Sequence, residues 1–187
     1  VVTAQAYDHF IRTADLKEKI KSLLGKINYE NTTQLDEITK DIREMIISSK
    51  MPKEMAEEIL EAYETLSSGD NEEEMKRTSA NEMLENNGKE IFVAVRSSAT
   101  SEDGALAAWA GQLDTYLNTT KEGVLLNVKK CWASLFTPRA IFYRFEKGLH
   151  STKISVAVVV QKMIESEVSG IAFSVHPVTQ DRNQMII

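Results

Sequence analysis

A chain of 187 residues has the length of one domain or of two small lobes, and with 42% apolar and 27% charged residues it can bury an ordinary globular core. No run of about 18 apolar residues is present to span a membrane, no basic segment followed by an apolar one marks a secretory signal, and a single cysteine, Cys131, excludes an internal disulfide framework. The net charge of −6 argues against nucleic acid as the main partner, since phosphate contacts dominate that affinity, and the expectation is a cytoplasmic protein with neither nucleic-acid nor membrane partner.

The first half predicts helices. Thr3 can cap a short helix carrying Tyr7, Phe10 and Ile11, and Asp15 can cap the next, with Leu16, Ile20, Leu23 and Leu24 on one face and Gly25 as its stop. Thr33 precedes Leu35, Ile38, Ile42, Met45 and Ile46, a helical stripe. Pro52 opens a fourth helix, with Met55, Ile59, Tyr63 and Leu66 inward and Gly69 at its end. Lys53 to Glu90 holds twelve acids against four bases, the pattern of a solvated helix face followed by a polar loop at Ser67 to Lys76.

After about residue 90 the pattern changes to strands mixed with helices. Ile91 to Val95 suits a buried strand, and Gln112 to Asn118 alternates Leu113, Thr115 and Leu117 with Gln112, Asp114 and Tyr116. Val124 to Phe136 predicts an amphipathic helix through Leu125, Val128, Trp132 and Leu135. Thr137-Pro138 then starts another, with Ile141, Phe142 and Phe145 inward and an end near Gly148. Ile154 to Val160 and Ser169 to Val175 predict two strands of a hairpin, and Gln184 to Ile187 the start of a further strand that the chain's end interrupts.

The most informative stretch is VAVRSSATSEDGALAAWAGQLDTYLN, Val93 to Asn118, where two strand signals flank roughly 16 residues rich in Ser, Ala and Gly. Small side chains let a backbone approach a ligand, and serial amides can cradle phosphate oxygens. Arg96 offers a fixed fork of donors that stays charged, and Ser97, Ser98, Thr100 and Ser101 add hydroxyls. The competing reading is a surface hairpin with Arg96 paired to Glu102 or Asp103; spacing and composition divide these evenly. Neither G-x-x-x-x-G-K-[ST] nor G-x-G-x-x-G occurs among the eight glycines, so any nucleotide must be held by another scaffold. His9, His150 and His176 have no metal-ligand spacing and no adjacent nucleophile.

Four ordered blocks, VAVRSSATSEDG, AGQLDTYLN, KKCWASLFTPRAIFYR and VVVQKMIESEVSGIAFSVHP, resemble the pyruvate/phosphoenolpyruvate dikinase family, nearest to its phosphoenolpyruvate synthase (pyruvate, water dikinase) branch and with similarity also to rifamycin phosphotransferases. The resemblance runs along the whole chain and is strongest over Ile91 to Pro177. It implies an α+β, ATP-grasp-like fold, with a helical N-terminal layer packed on a largely antiparallel sheet, truncated at both ends. Its expected parts are a mainly helical part of the first lobe at 1–90, a phosphate-loop part of that lobe at 91–160, and at 161–187 the hinge and start of a second, incomplete lobe.

The resemblance also implies roles. Arg96 matches the family arginine that binds nucleotide phosphates and is the one expected catalytic residue, with Ser97, Ser98 and Thr100 beside it. Gly111 and Thr115 match the phosphate-lining positions of A-G-Q-x-x-T, and Gln161 matches the glutamine beside the adenine, where Lys162, Met163 and Ile164 can offer backbone partners to the ring's edge. Arg139 and Arg144 match family arginines; Arg139 either reaches the phosphates or ties its helix to the sheet.

None of the three histidines matches the family's carrier histidine. The implied cofactors are ATP and magnesium, with the metal ligands expected after Ile187 and an ATP-contacting lysine before Val1. The implied partners are a phosphohistidine carrier domain and a pyruvate-binding domain of the full-length protein. The implied reaction phosphorylates the carrier histidine from ATP, with water as second acceptor, and converts pyruvate to phosphoenolpyruvate, the fragment alone being inactive. The alternatives are a rifamycin phosphotransferase, a pyruvate, phosphate dikinase, or a non-catalytic ATP-sensing or interaction module.

Overall fold

The computed structural model describes residues 1–68, 91–99, 113–149, 154–164 and 166–186. Among these it is α+β: helices α1 (Ala4–Thr13), α2 (Lys17–Leu24), α3 (Thr32–Ser48) and α4 (Lys53–Ser68) precede strands β1 (Val93–Ala99) and β2 (Thr115–Thr119), then α5 (Lys121–Ala133), a short 3-10 turn (Ser134–Phe136), α6 (Pro138–Glu146) and β3 (Val156–Lys162). The sheet is antiparallel with order β2-β1-β3.

Local chemistry sets the helix ends, and two caps differ from expectation. Thr3 accepts from the Ala6 N–H as expected. Asp15 does not cap α2. It sits at φ 53°, its N–H donates to Arg12 and that of Leu16 to Ile11, so it closes the C-terminus of α1 in a Schellman turn. A short polar side chain tolerates the left-handed region, which is why the same residue type suits both jobs. For α3 the cap is Asn31, whose side chain accepts from Gln34, two residues before the expected Thr33. Thr137 caps α6 through Ala140, with Pro138 in its first turn, as expected. Gly148, at φ 67°, ends that helix while Leu149 donates back to Arg144.

α5 is the centre of the packing. It lies across the sheet on one side and carries α3 and α4 on the other. Its Val124, Val128, Cys131 and Trp132 are buried with Val93 and Val95 of β1 and Val156 and Val158 of β3. Trp132 meets Phe10 at 4.9 Å and Tyr7 at 6.0 Å between ring centroids, joining α1 to the same core. Lys129 of α5 donates to the carbonyls of Ile47 and Ser49, closing the end of α3 with a cation.

Three other expectations are corrected. Phe142 and Phe145 are 41% and 44% exposed; the buried stripe of α6 is Ala140, Ile141 and Arg144, and Phe145 stacks on Tyr29 at its margin. Leu66 is likewise exposed. The segment 169–175 does not pair back on β3: Phe173 bridges Ile186, and the turn between them is closed by His176 and Asp181. Ser67 and Ser68, the first residues of the expected loop at Ser67 to Lys76, still belong to α4; Gly69 and the rest of that loop lie outside the described residues.

Candidate functional site

Side chains of a strand alternate between faces, and directly opposed residues of antiparallel strands share a face. The register therefore sorts the candidates. Arg96 opposes Thr115 on one side and Val159 on the other, Ala94 opposes Gln161, and Ser98 opposes Ala157. Since Val93, Val95, Ala99, Val156 and Val158 fill the face under α5, the residues between them point to the opposite, open face. Arg96, Thr115, Gln161 and Ser98 lie together there. The first three are exposed, and only Ala94, short enough to sit below its neighbours, is buried among the β1 residues of that face.

Along this face the chemistry grades. Phe92, 46% exposed, lies beside Met163, whose N–H donates to the Phe92 carbonyl at 2.8 Å. Four residues further along, about 13 Å at the strand rise, stands Arg96. The face thus runs from an apolar end at Phe92, Leu117 and Met163 to a cationic and hydroxylic end at Arg96, Thr115 and Ser98.

The backbone of β3 adds directional groups. Val158 exchanges both hydrogen bonds with Val2, so its N–H and C=O point away from β1. Alternation turns those of Val160 and Lys162 outward at the same edge, whereas the Met163 N–H is engaged by Phe92. Of the expected hinge groups, Lys162 offers an outward donor and acceptor, and Ile164 is 81% exposed.

Ser97 has the opposite parity. It points to the helical side, and its hydroxyl donates to the Asp114 carbonyl at 2.7 Å. Arg139, in the first turn of α6, lays a guanidinium nitrogen 2.7 Å from the Asp114 carboxylate. Tyr116 donates its hydroxyl to the other oxygen of that carboxylate at 3.3 Å; burial and the Asp114 charge push its pKa up to about 12. Thr100 and Gly111 lie outside the described residues, as do Ser101, Glu102 and Asp103. Asp114 was not singled out from the sequence, where its only distinguishing mark is its place directly before the matched Thr115.

The remaining polar groups do not join this face. Cys131 is fully buried, and burial raises its thiol to about 12, so it is an inert core residue. His9 bonds Arg12 and Thr13 on the surface of α1. The His176 Nδ1 accepts from the N–H groups of Val178 and Thr179. Among the described residues no group of three or more His, Cys, Asp or Glu could hold a metal ion, and no helix is long and apolar enough to cross a membrane.

Comparison with known proteins adds the family. Residues 1–187 match the model of the pyruvate phosphate dikinase, AMP/ATP-binding domain. A probable phosphoenolpyruvate synthase of Archaeoglobus fulgidus is 46% identical over 187 residues, covering 100% of this chain and 23% of that protein. The phosphoenolpyruvate synthase of Pyrococcus furiosus is 41% identical over 187 residues, with 100% and 21% covered. A rifampicin phosphotransferase of Bacillus cereus is 36% identical over 187 residues, with 100% and 19% covered. The chain thus spans less than a quarter of these curated relatives, and by the match along its whole length it belongs to the pyruvate phosphate dikinase AMP/ATP-binding domain family.

Proposed function

We propose that the open face of the three-stranded sheet binds ATP, with the phosphates at Arg96, Thr115 and Ser98 and the base beside Gln161, Met163 and the outward backbone of Lys162. The observation that carries this is the register: Arg96 and Thr115 are cross-strand neighbours, and Gln161 lies on the same face two positions along. An apolar end for a flat ring and a cationic end for phosphates, about 13 Å apart, match a nucleotide lying along the strands. Arg96, at the cationic end, neutralises and orients the transferred phosphoryl group, which is most of what a protein contributes to such a transfer. Thr100 and Gly111 belong to the same site in this reading.

In this reading the chain is an ATP-grasp first lobe, helical over 1–90 and phosphate-binding over 91–160, followed by a hinge and the start of a second lobe at 161–187. The whole protein is a pyruvate, water dikinase that passes the β-phosphoryl group of ATP to a histidine on a carrier domain and then to pyruvate. The names of the Archaeoglobus and Pyrococcus relatives support this choice. Magnesium is part of the proposal for the whole enzyme, but the described residues do not fit a cation site.

The test is transfer of label from ATP marked at its β-phosphate to the full-length protein. Arg96→Ala is expected to abolish the acid-labile phosphohistidine while the protein stays folded; near-normal labelling refutes the assignment. A second reading is favoured by the 36% identity to a rifampicin phosphotransferase. Offering pyruvate and rifampicin in parallel separates the two by which one consumes the phosphoenzyme.

A further inference from the structure

We propose that Asp114 is a positioning residue for the nucleotide site, fastening the start of β2 so that Thr115 stands opposite Arg96, and that Arg139 acts on the nucleotide only through this carboxylate. The proposal rests on the reading of the open face as the ATP site and goes beyond it by assigning the residues that hold it in shape.

Asp114 is tied on every side. Its carbonyl accepts the Ser97 hydroxyl at 2.7 Å and the Ser97 N–H at 3.4 Å, which joins β1 to the residue preceding β2 across 17 positions of sequence. One carboxylate oxygen accepts from Arg139 at 2.7 Å and the other from Tyr116 at 3.3 Å. Arg139 is itself well anchored, two residues after the Thr137 cap and directly after Pro138. The next residue, Thr115, is exposed and opposes Arg96. A residue bound to β1, α6 and the neighbouring tyrosine thus sets the strand position of one that faces the ligand.

Magnitudes decide where the effect shows. The Arg139 and Asp114 side chains are 52% and 32% exposed, and ion pairs so open to water add little to global stability. A small displacement of a ligand-facing group, in contrast, costs binding steeply. The pair should therefore be felt in ATP affinity more than in thermal stability. One Arg139 guanidinium nitrogen is already held by this carboxylate in a charge-assisted bond of 2.7 Å, which ties the orientation of Arg139 to Asp114.

The test measures ATP binding by calorimetry and steady-state kinetics on the full-length protein, as wild type, Asp114→Ala, Arg139→Met and the double variant. Asp114→Asn, which keeps the volume but removes the charge that holds Arg139, replaces Asp114→Ala if the latter does not fold. Each single variant is expected to weaken ATP about tenfold and raise its KM, and the double variant to be no worse than the weaker single, because both break one linkage. Affinity retained or improved in Asp114→Ala but lost in Arg139→Met would make Arg139 a direct phosphate ligand and overturn the proposal. Losses that multiply in the double variant would overturn it as well. So would a lower kcat with unchanged KM for ATP, the mark of a purely structural role. Failure of the wild type itself to bind ATP would instead bring down the nucleotide reading, and this inference with it.

Discussion

The two faces of β1 are built from alternate residues of one seven-residue strand, yet they answer to different constraints. Val93, Val95 and Ala99 look into a core where Trp132, Phe10 and Val128 leave no exposed surface. Ser98 and the exposed Arg96 look away from it, with Thr115, Val159 and Gln161 as neighbours. Packing explains Val93, Val95 and Ala99, and a hydrogen bond to the Asp114 carbonyl explains Ser97. Packing does not explain an arginine, a threonine and a glutamine gathered on the second; the proposed nucleotide would.

This contrast can be broken by substitution on either side. The largest effect belongs to the packed face: Trp132→Ala should cost about 3 to 5 kcal/mol of unfolding free energy in denaturant titration, because the indole is wholly enclosed and its removal leaves a large cavity. Arg96→Ala should leave that free energy within about 0.5 kcal/mol while weakening ATP binding roughly a hundredfold, the cost of a lost charged phosphate contact. If Arg96→Ala unfolds the protein, the open face is a structural one and the comparison fails. Gln161→Ala should weaken ATP by about tenfold or less, since in the proposed site backbone groups at Lys162 share the recognition of the base.

The packed face also carries a pH signature. Cys131, ordinarily at 9.0, and Tyr116, ordinarily at 10.0, are both raised to about 12 in the folded chain, first by burial and then by Asp114. The unfolded chain releases these protons earlier, so their stabilisation is complete below about pH 9 and is lost as pH rises towards 12. Unfolding free energies measured from neutral pH to about 11 should fall, and Cys131→Ala should make the fall shallower; an unchanged slope would show that the thiol does not contribute. The smallest effect is expected at the left-handed end of α1, where Asp15→Gly should stabilise by up to about 1 kcal/mol in thermal unfolding.

What could be read from the sequence was what short spacing encodes. Thr3, Thr137 and Pro138 mark helix starts because a cap and the N–H that donates to it lie within three residues, and the stripe through Val128 and Trp132 repeats every turn. The blocks around Arg96, Thr115 and Gln161 were visible as motifs, but that they share one face needs the register, which is set by non-local pairing. The same limit explains Asp15, which the preceding helix takes for its own C-terminus, and Asn31, which caps α3 in place of the neighbouring Thr33. It explains Phe142 and Phe145, whose periodicity suits burial although both stay partly exposed. Asp114 was invisible for the strongest form of this reason: its partners Ser97 and Arg139 are 17 and 25 positions away.

The most direct measurement is a crystal structure of the full-length protein with a non-hydrolysable ATP analogue. The phosphates should lie against Arg96 and Thr115, with the base beside Gln161 and Met163. A nucleotide seated elsewhere, leaving this face of the sheet empty, would contradict the account.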